Sequence, residues 1–137
     1  MKKSVIVYAK RTAVGRLGGA FKDFPATQLG ACLVEDAKKN LNSTAEVDEV
    51  ILGQVLTAGC GQSPAKQAAL KGGLSPSVCA TTINRVCGSG MKAVIMGQEA
   101  IALGKARCIF AGGQENMSLA PHLLMKSRQG YKYGSVT

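Results

Sequence analysis

Short runs of β-branched residues alternate along this chain with longer runs of helical character, and this alternation limits the possible folds more than any other feature. The predicted strands cover residues 4–9, 47–56, 79–86 and 106–111. The predicted helices cover residues 27–41, 64–71 and 88–103. Because the strands are apolar throughout and helices separate them, the pattern predicts an α/β fold with a mostly parallel sheet and right-handed crossovers.

The apolar positions also predict which surfaces are buried. The run over residues 4–9 is expected to be a strand with both faces covered. The helix over 88–103 is apolar around most of its circumference, so we expect it to be buried on all sides. For the helix over 27–41, the expected buried stripe is Leu29, Leu33, Ala37 and Leu41.

Length and cysteine usage narrow the class of protein. The chain has 137 residues, a length typical of one domain, and none of its apolar runs approaches the ~18 residues of a membrane span. It has five cysteines and one histidine, with no Cys-x-x-Cys pair. This predicts reduced thiols in a cytoplasmic protein, with no metal site and no disulfide framework.

The formal net charge of +9 leaves more than one partner open. Residues 50–98 contain no Asp or Glu. A basic chain is able to bind nucleic acid, but the aromatic residues that stack on bases are not interleaved with the charges here, so we expect no nucleic acid and no membrane partner. A phosphate-bearing anionic cofactor or substrate and an ordinary solvated surface both remain compatible with the charge.

Cys87 is the main candidate catalytic residue. It follows the strand predicted over 79–86 and stands directly before a helix, whose N-terminus offers unpaired N–H groups and a partial positive charge. These features favour a nucleophilic thiolate. The alternative is a small buried residue that fills space under the helix, and the neighbouring Gly88 and Gly90 are compatible with both interpretations.

His122 and Glu115 are weaker candidates than Cys87 for a role in the site. His122 lies in an irregular stretch, where a histidine is more often structural than a catalytic base. Glu115 follows the fourth predicted strand and either orients polar groups near Cys87 or is an ordinary surface or capping residue. Because the chemistry of parallel sheets gathers at the carboxyl ends of strands, we expect the loops around Cys87 and residues 114–116 to face each other.

Four segments in order resemble one family. Residues 84–94 read NRVCGSGMKAV, which is similar to the nucleophilic-cysteine segment of the thiolases, the acyl-CoA acyltransferases. The segments RTAVG with GGAF (11–21), GQVLTAG with GQSPAKQAA (53–69), and AGGQENMS with APH (111–122) resemble the same family. The related ketoacyl synthases carry a cysteine at a comparable junction but lack the Asn-x-x-Cys-x-Ser-Gly-Met pattern, so they rank second.

The resemblance implies a layered thiolase-like half with a buried helix after the nucleophilic cysteine and an incomplete sheet. Residues 1–117 would form this domain without its last strand, and 118–137 would begin the family's loop domain. Cys87 would carry an acyl group in a ping-pong transfer between coenzyme A thioesters, with no tightly bound cofactor; coenzyme A contacts stay unassigned.

The family's other catalytic groups are a second cysteine, a Gly-His-Pro histidine and an Asn-Glu segment, and none of these occurs in this sequence. We therefore expect the chain alone to be inactive, and to work as a homo-oligomer or with a partner chain that supplies the missing half. A non-catalytic binding or scaffold domain that kept the fold is the alternative.

Overall fold

The computed structural model of the protein describes residues 3–41 and 45–131. Within these ranges the α-helices and strands follow the predicted alternation, and six of the seven predicted elements are confirmed to within a few residues. They are α1 (Ala26–Asn40), β1 (Glu49–Gly53), α2 (Pro64–Lys71), β2 (Cys79–Ile83), α3 (Ser89–Ala102) and β3 (Ile109–Gly113). Single-turn 3-10 helices follow at Met117–Leu119 and Ser127–Gln129.

The three strands form a parallel sheet in the order β2-β1-β3, which confirms the predicted α/β class. Successive side chains of β1 point to opposite faces. Val50 and Leu52 join a core with α1 and α2, where Val34, Ala65 and Ala68 are also buried. The other face of β1 and β3 is covered by α3. Helices therefore lie on both faces of the sheet.

Small side chains set the packing of α1 against α2. Gly30 lies so close to Ala68 and the side chain of Gln114 that a methyl group there would collide with them. Gly72, just after α2, leaves similarly little space beside Val34. The predicted stripe was wrong in detail, because this close approach turns the small residues inward and leaves Leu29, Leu33 and Leu41 half-buried. The buried residues of α1 are Ala26, Thr27, Gly30, Ala31, Val34 and Ala37.

The prediction of a buried first strand over residues 4–9 was also wrong. The segment is not part of the sheet, and Val5, Ile6 and Val7 are 77–78% exposed. Asp36 on α1 holds it instead, accepting hydrogen bonds from the Tyr8 hydroxyl (2.7 Å) and from Lys10 Nζ (2.9 Å). β-Branched residues favour a strand only where a sheet edge is available to pair with, and residues 4–9 pair with neither edge of the described sheet.

α3 is covered on one side only. Gly97 brings it against Ile109 and Ala111 of β3. Its buried residues are Ser89, Ala93 and Gly97. On the opposite side Met91 is 73% exposed, and Val94 and Ile95 are exposed by more than two-fifths. The expectation that this helix is buried on all sides was therefore wrong for this chain, because no described segment lies against its outer face.

Residues 118–131 are irregular apart from the short 3-10 turns. The rest of the predicted loop-domain segment, 132–137, lies outside the described residues, and the division of the chain at residue 117 stays a prediction. Neither described range contains a helix with the length and apolar character that crossing a membrane requires.

Candidate functional site

Cys87 lies in the five-residue turn that joins β2 to α3. β2 ends at Ile83, Gly88 is the N-cap of α3, and the helix begins at Ser89. The Cys87 side chain is exposed at the carboxyl end of the sheet. In this structure Cys87 is therefore not buried under the helix, unlike in the packing interpretation.

The turn has an unusual backbone at the residue before the cysteine. Val86 has φ = +50°, in the left-handed region that a β-branched residue adopts at a cost of about 1–2 kcal/mol. Ser89, 4% exposed, supports the turn by accepting from the Arg85 N–H (2.8 Å) and donating to the Val86 carbonyl (2.6 Å). These contacts tie the backbone on either side of Cys87 to the start of α3.

Glycines bring the start of α3 onto the ends of two strands. A Cβ on Gly53 would lie 2.5 Å from the backbone carbonyl carbon of Ser89. A Cβ on Gly113 would lie 3.4 Å from the Cα of Gly90. The absence of side chains at these positions lets the helix N-terminus sit directly over β1 and β3. This contact fixes the position of the turn that carries Cys87.

The other four thiols lie in different surroundings. Cys79 and Cys108 lie at the amino-terminal end of the sheet, and Cys32 is exposed on α1. Burial raises the pKa of the Cys108 thiol, and the Asp48 carboxylate raises it further. Cys60 follows β1 and is half-buried. Cys87 is the exposed thiol at the carboxyl end of the sheet that also adjoins a helix N-terminus.

Glu115 connects two loops rather than acting on the cysteine directly. Its carboxylate accepts hydrogen bonds from the backbone N–H groups of Val55 (2.7 Å) and Leu56 (3.2 Å), in the loop after β1. On the other side of that loop, Asn84 Nδ2 donates to the Val55 carbonyl (3.5 Å). The expected direct meeting of the Cys87 loop with residues 114–116 is thus replaced by contact through the loop after β1, because β1 is the central strand.

Two buried glutamines were missed by the sequence analysis. Gln54 is 1% exposed and Gln114 is 7% exposed, and Gln114 Nε2 donates to Gln54 Oε1 at 2.8 Å. Gln54 Nε2 in turn donates to the Leu56 carbonyl (2.9 Å) and lies 3.2 Å from Cys60 Sγ. The signal in the sequence is that each glutamine directly follows the glycine that ends a strand.

Two clefts lie near the carboxyl ends of the strands, and neither is lined by Cys87. One, of about 400 Å³, is bordered by Cys60, Lys71 and Asn116. The other, of about 370 Å³, is bordered by Glu115, Met117 and the 12–17 loop. The candidate site is therefore assigned on the exposed thiol and its turn, not on an enclosed cavity. His122 is exposed in the irregular segment and borders neither cleft.

Comparison with known proteins places this arrangement in a family. Residues 4–137 match the family model described as "Thiolase, N-terminal domain". The chain is 54% identical over 135 residues to an acetyl-CoA acetyltransferase of Cupriavidus necator, covering 98% of this chain and 34% of the relative. It is 51% identical over 136 residues to an acetyl-CoA acetyltransferase of Escherichia coli, with 98% and 34% covered.

A third relative, a probable acetyl-CoA acyltransferase of Staphylococcus aureus, is 49% identical over 135 residues, again with 98% of this chain and 34% of the relative covered. The chain thus spans about a third of the length of the curated relatives it matches. The match extends over almost every residue, including the turn of Cys87 and the loop of Glu115, and the chain belongs to the thiolase family through its N-terminal domain.

Proposed function

We propose that the chain supplies the acyl-carrying cysteine of an acyl-CoA C-acyltransferase of the acetyl-CoA acetyltransferase type. Cys87 Sγ, as thiolate, attacks the thioester carbonyl of an acyl-CoA; the carbon–sulfur bond to coenzyme A breaks and an acyl-cysteine forms. The observation that carries this proposal is the exposed thiol at the carboxyl end of the sheet, next to the start of α3.

The second half of the reaction returns the enzyme to its starting state. The α-carbon of a second acyl-CoA loses a proton to a base, attacks the acyl-cysteine carbonyl and expels the Cys87 thiolate, which gives a 3-ketoacyl-CoA. The reverse direction is thiolytic cleavage by coenzyme A. Such substrates belong to lipid metabolism, and the five free thiols of the chain suit a cytoplasmic location.

The backbone of the turn supports charge stabilisation during attack. Among the described residues the Cys87 N–H donates to no acceptor, whereas the Gly88 and Ser89 N–H groups donate to the Arg85 and Val86 carbonyls. An N–H that remains available beside the nucleophile suits a developing oxyanion on the thioester carbonyl. Arg85 is exposed in the same turn, and its positive charge suits a substrate that bears the phosphates of coenzyme A.

The test is acylation of the isolated chain. Incubation with acetyl-CoA, followed by intact-mass measurement and peptide mapping, is expected to show one acetyl group on Cys87. Cys87→Ala should abolish the gain, and Cys79→Ala, which removes another exposed thiol, should leave it unchanged. A gain of mass that persists in Cys87→Ala, or no gain in any variant, would favour the scaffold alternative.

Steady turnover requires more than this chain. Carbanion formation needs a proton acceptor near the second substrate, and the sole histidine, His122, is exposed in the irregular segment outside both clefts. We therefore expect acylation without sustained production of acetoacetyl-CoA. Continuous formation of that product by the purified chain would contradict the requirement for a further catalytic chain.

We further propose that the exposed apolar side of α3 is covered by polypeptide corresponding to the remainder of the longer relatives. The chain spans only a third of their length, and Met91, Val94 and Ile95 form a contiguous apolar surface along the helix. A homo-oligomer that uses the same surface is the competing outcome, and the two are distinguished by the association measurements given in the Discussion.

A further inference from the structure

Hydrogen bonds connect the loops that follow the three strands, and the last of these bonds is to Val86, the residue before Cys87. Glu115, after β3, holds the Val55 and Leu56 N–H groups of the loop after β1. The Val55 carbonyl accepts a hydrogen bond of 3.5 Å from Nδ2 of Asn84, which lies in the turn after β2. The series of contacts therefore runs across the whole carboxyl edge of the sheet.

Asn84 uses its two amide atoms for two different loops. While Nδ2 reaches Val55, Oδ1 accepts the backbone N–H of Val86 at 2.9 Å. A short polar side chain that binds the backbone two residues later stabilises a turn at that point. Here the bonded residue is the one with φ = +50°, so Asn84 supports the least favourable backbone conformation of the turn.

The conformation of Val86 decides where the next residue points. If Val86 relaxed to a negative φ, the peptide that leads into Cys87 would rotate and the sulfur would move relative to the first N–H groups of α3. Ser89 holds the carbonyl side of Val86, and Asn84 holds its N–H side. Contacts on both sides of Val86 thus favour its left-handed conformation.

We propose that Asn84 is a positioning residue for the Cys87 thiol, and that Glu115 sets the position of Asn84 by fixing the loop at Val55 and Leu56. The role of Cys87 as acyl carrier rests on the proposed function, whereas the positioning of its sulfur is measurable without any acyl-CoA. Neither Asn84 nor Glu115 exchanges a proton or a bond with substrate; each acts through the backbone.

The experiment measures the alkylation rate of each cysteine in the intact chain by iodoacetamide at neutral pH, resolved by peptide mass. Cys32 and Cys79 are exposed and serve as internal references. Asn84→Ala is expected to slow alkylation of Cys87 about fivefold, because the sulfur loses its alignment with the helix N-terminus. The rates of Cys32 and Cys79 should not change.

Two further variants test the mechanism. Asn84→Ser keeps an oxygen able to accept the Val86 N–H but loses the Nδ2 contact with Val55, so it should restore only part of the Cys87 rate. Glu115→Gln should slow Cys87 as well, and combining it with Asn84→Ala should add little, since both changes interrupt one series of contacts. Asn40→Ala is the matched control, because Asn40 also donates to a backbone carbonyl but lies at the end of α1.

The outcomes separate positioning from simple loss of structure. If Asn84→Ala only loosened the fold, the half-buried Cys60 and Cys108 would react faster together with the other thiols. That pattern, an unchanged Cys87 rate, or the lack of rescue by serine would overturn the proposal. In a separate outcome, Cys87 of the wild-type chain is alkylated rapidly but is never acylated by acetyl-CoA. This result would contradict the proposed function and leave the positioning role of Asn84 unaffected.

Discussion

Ser89 shows how much a single buried hydroxyl contributes to the turn. It satisfies the Arg85 N–H and the Val86 carbonyl at once, and its side chain is almost fully covered. Ser89→Ala is expected to reduce the free energy of unfolding by about 1–3 kcal/mol, because both backbone groups then lack this partner. Urea unfolding followed by circular dichroism measures the loss.

Ser75→Ala is the matched control for Ser89, since Ser75 forms its hydrogen bonds with Ser77 at the surface. Its effect should stay within about 0.5 kcal/mol. Equal losses in the two variants would show that the hydroxyl of Ser89 has no special weight in the turn.

Asp48 makes the stability of the chain depend on pH. The Arg107 and Cys108 N–H groups donate to its carboxylate at 2.6 and 3.0 Å, and these bonds lower the pKa of Asp48. A pKa that is lower in the folded state means that the contribution is complete above the unfolded value of about 3.9 and is lost as pH falls through the folded value.

Asp48→Ala should therefore destabilise the chain at pH 7 by roughly 1 kcal/mol, a modest figure because the carboxylate is exposed and screened. The difference from wild type should shrink below about pH 4. Thermal unfolding at a series of pH values measures this, with Asp23→Ala as a control for net charge. A difference that stays constant down to acid pH would contradict the assignment.

At the scale of elements, the contact between α3 and the strand ends depends on glycine. Gly53→Ala places a methyl group 2.5 Å from the Ser89 backbone, which has little freedom to move. We expect a loss of about 3 kcal/mol in unfolding free energy, together with a slower reaction of Cys87. The denaturation midpoint and the alkylation rate are the two measurements.

Gly112→Ala provides the comparison on the neighbouring strand. There a Cβ meets only Leu52 Cδ2, at 3.9 Å, which is an ordinary contact. The cost should stay below about 1 kcal/mol, since strand residues other than glycine lose less entropy on folding. If both alanine variants behaved alike, the close approach of α3 to β1 would not be the reason for glycine at position 53.

Elements with strong periodicity and clear boundaries could be predicted from the sequence. Pro64 and Gly72 delimit α2 as expected, and the position of Cys87 just before α3 is as its sequence context indicates. The prediction of a strand over residues 4–9 was wrong because a strand needs the edge of a sheet to pair with, and no local sequence pattern reveals whether such an edge is present. The left-handed conformation of Val86 could not be predicted from the sequence either. Valine disfavours this conformation, and the hydrogen bonds from Asn84 and Ser89 that support it are visible only in the structure.

At the scale of the whole molecule, the uncovered side of α3 is the feature that governs behaviour in solution. An apolar strip of this kind promotes association. Replacing Met91 by glutamate and Val94 by lysine together should lower the binding of a hydrophobic dye and shift the chain toward a monomer in size-exclusion chromatography with light scattering. Both residues favour helices, so α3 should persist.

Leu70→Lys is the control for that experiment, because Leu70 is an exposed apolar residue on α2, away from the strip. It should leave association unchanged. A stable dimer of the wild-type chain that the double variant dissociates would favour the homo-oligomer over a separate partner. A monomeric wild-type chain that binds the remaining two thirds of a relative, with the double variant binding less, would favour the partner.

The attachment of residues 4–10 to α1 weakens in strong alkali, because Tyr8 then loses the proton that it donates to Asp36. Desolvation, the hydrogen bond to Asp36 and the negative charge of Asp36 together raise the pKa of Tyr8 to about 12. The contribution of the neutral phenol is therefore complete below the ordinary tyrosine value of about 10 and is lost as pH rises through that raised value. The chain has three tyrosines and no tryptophan, so the difference in phenolate absorbance between wild type and Tyr8→Phe follows the step. Ionised Tyr8 no longer donates to Asp36, so residues 4–10 lose this bond to α1, whereas the three parallel strands hold no tyrosine that ionises.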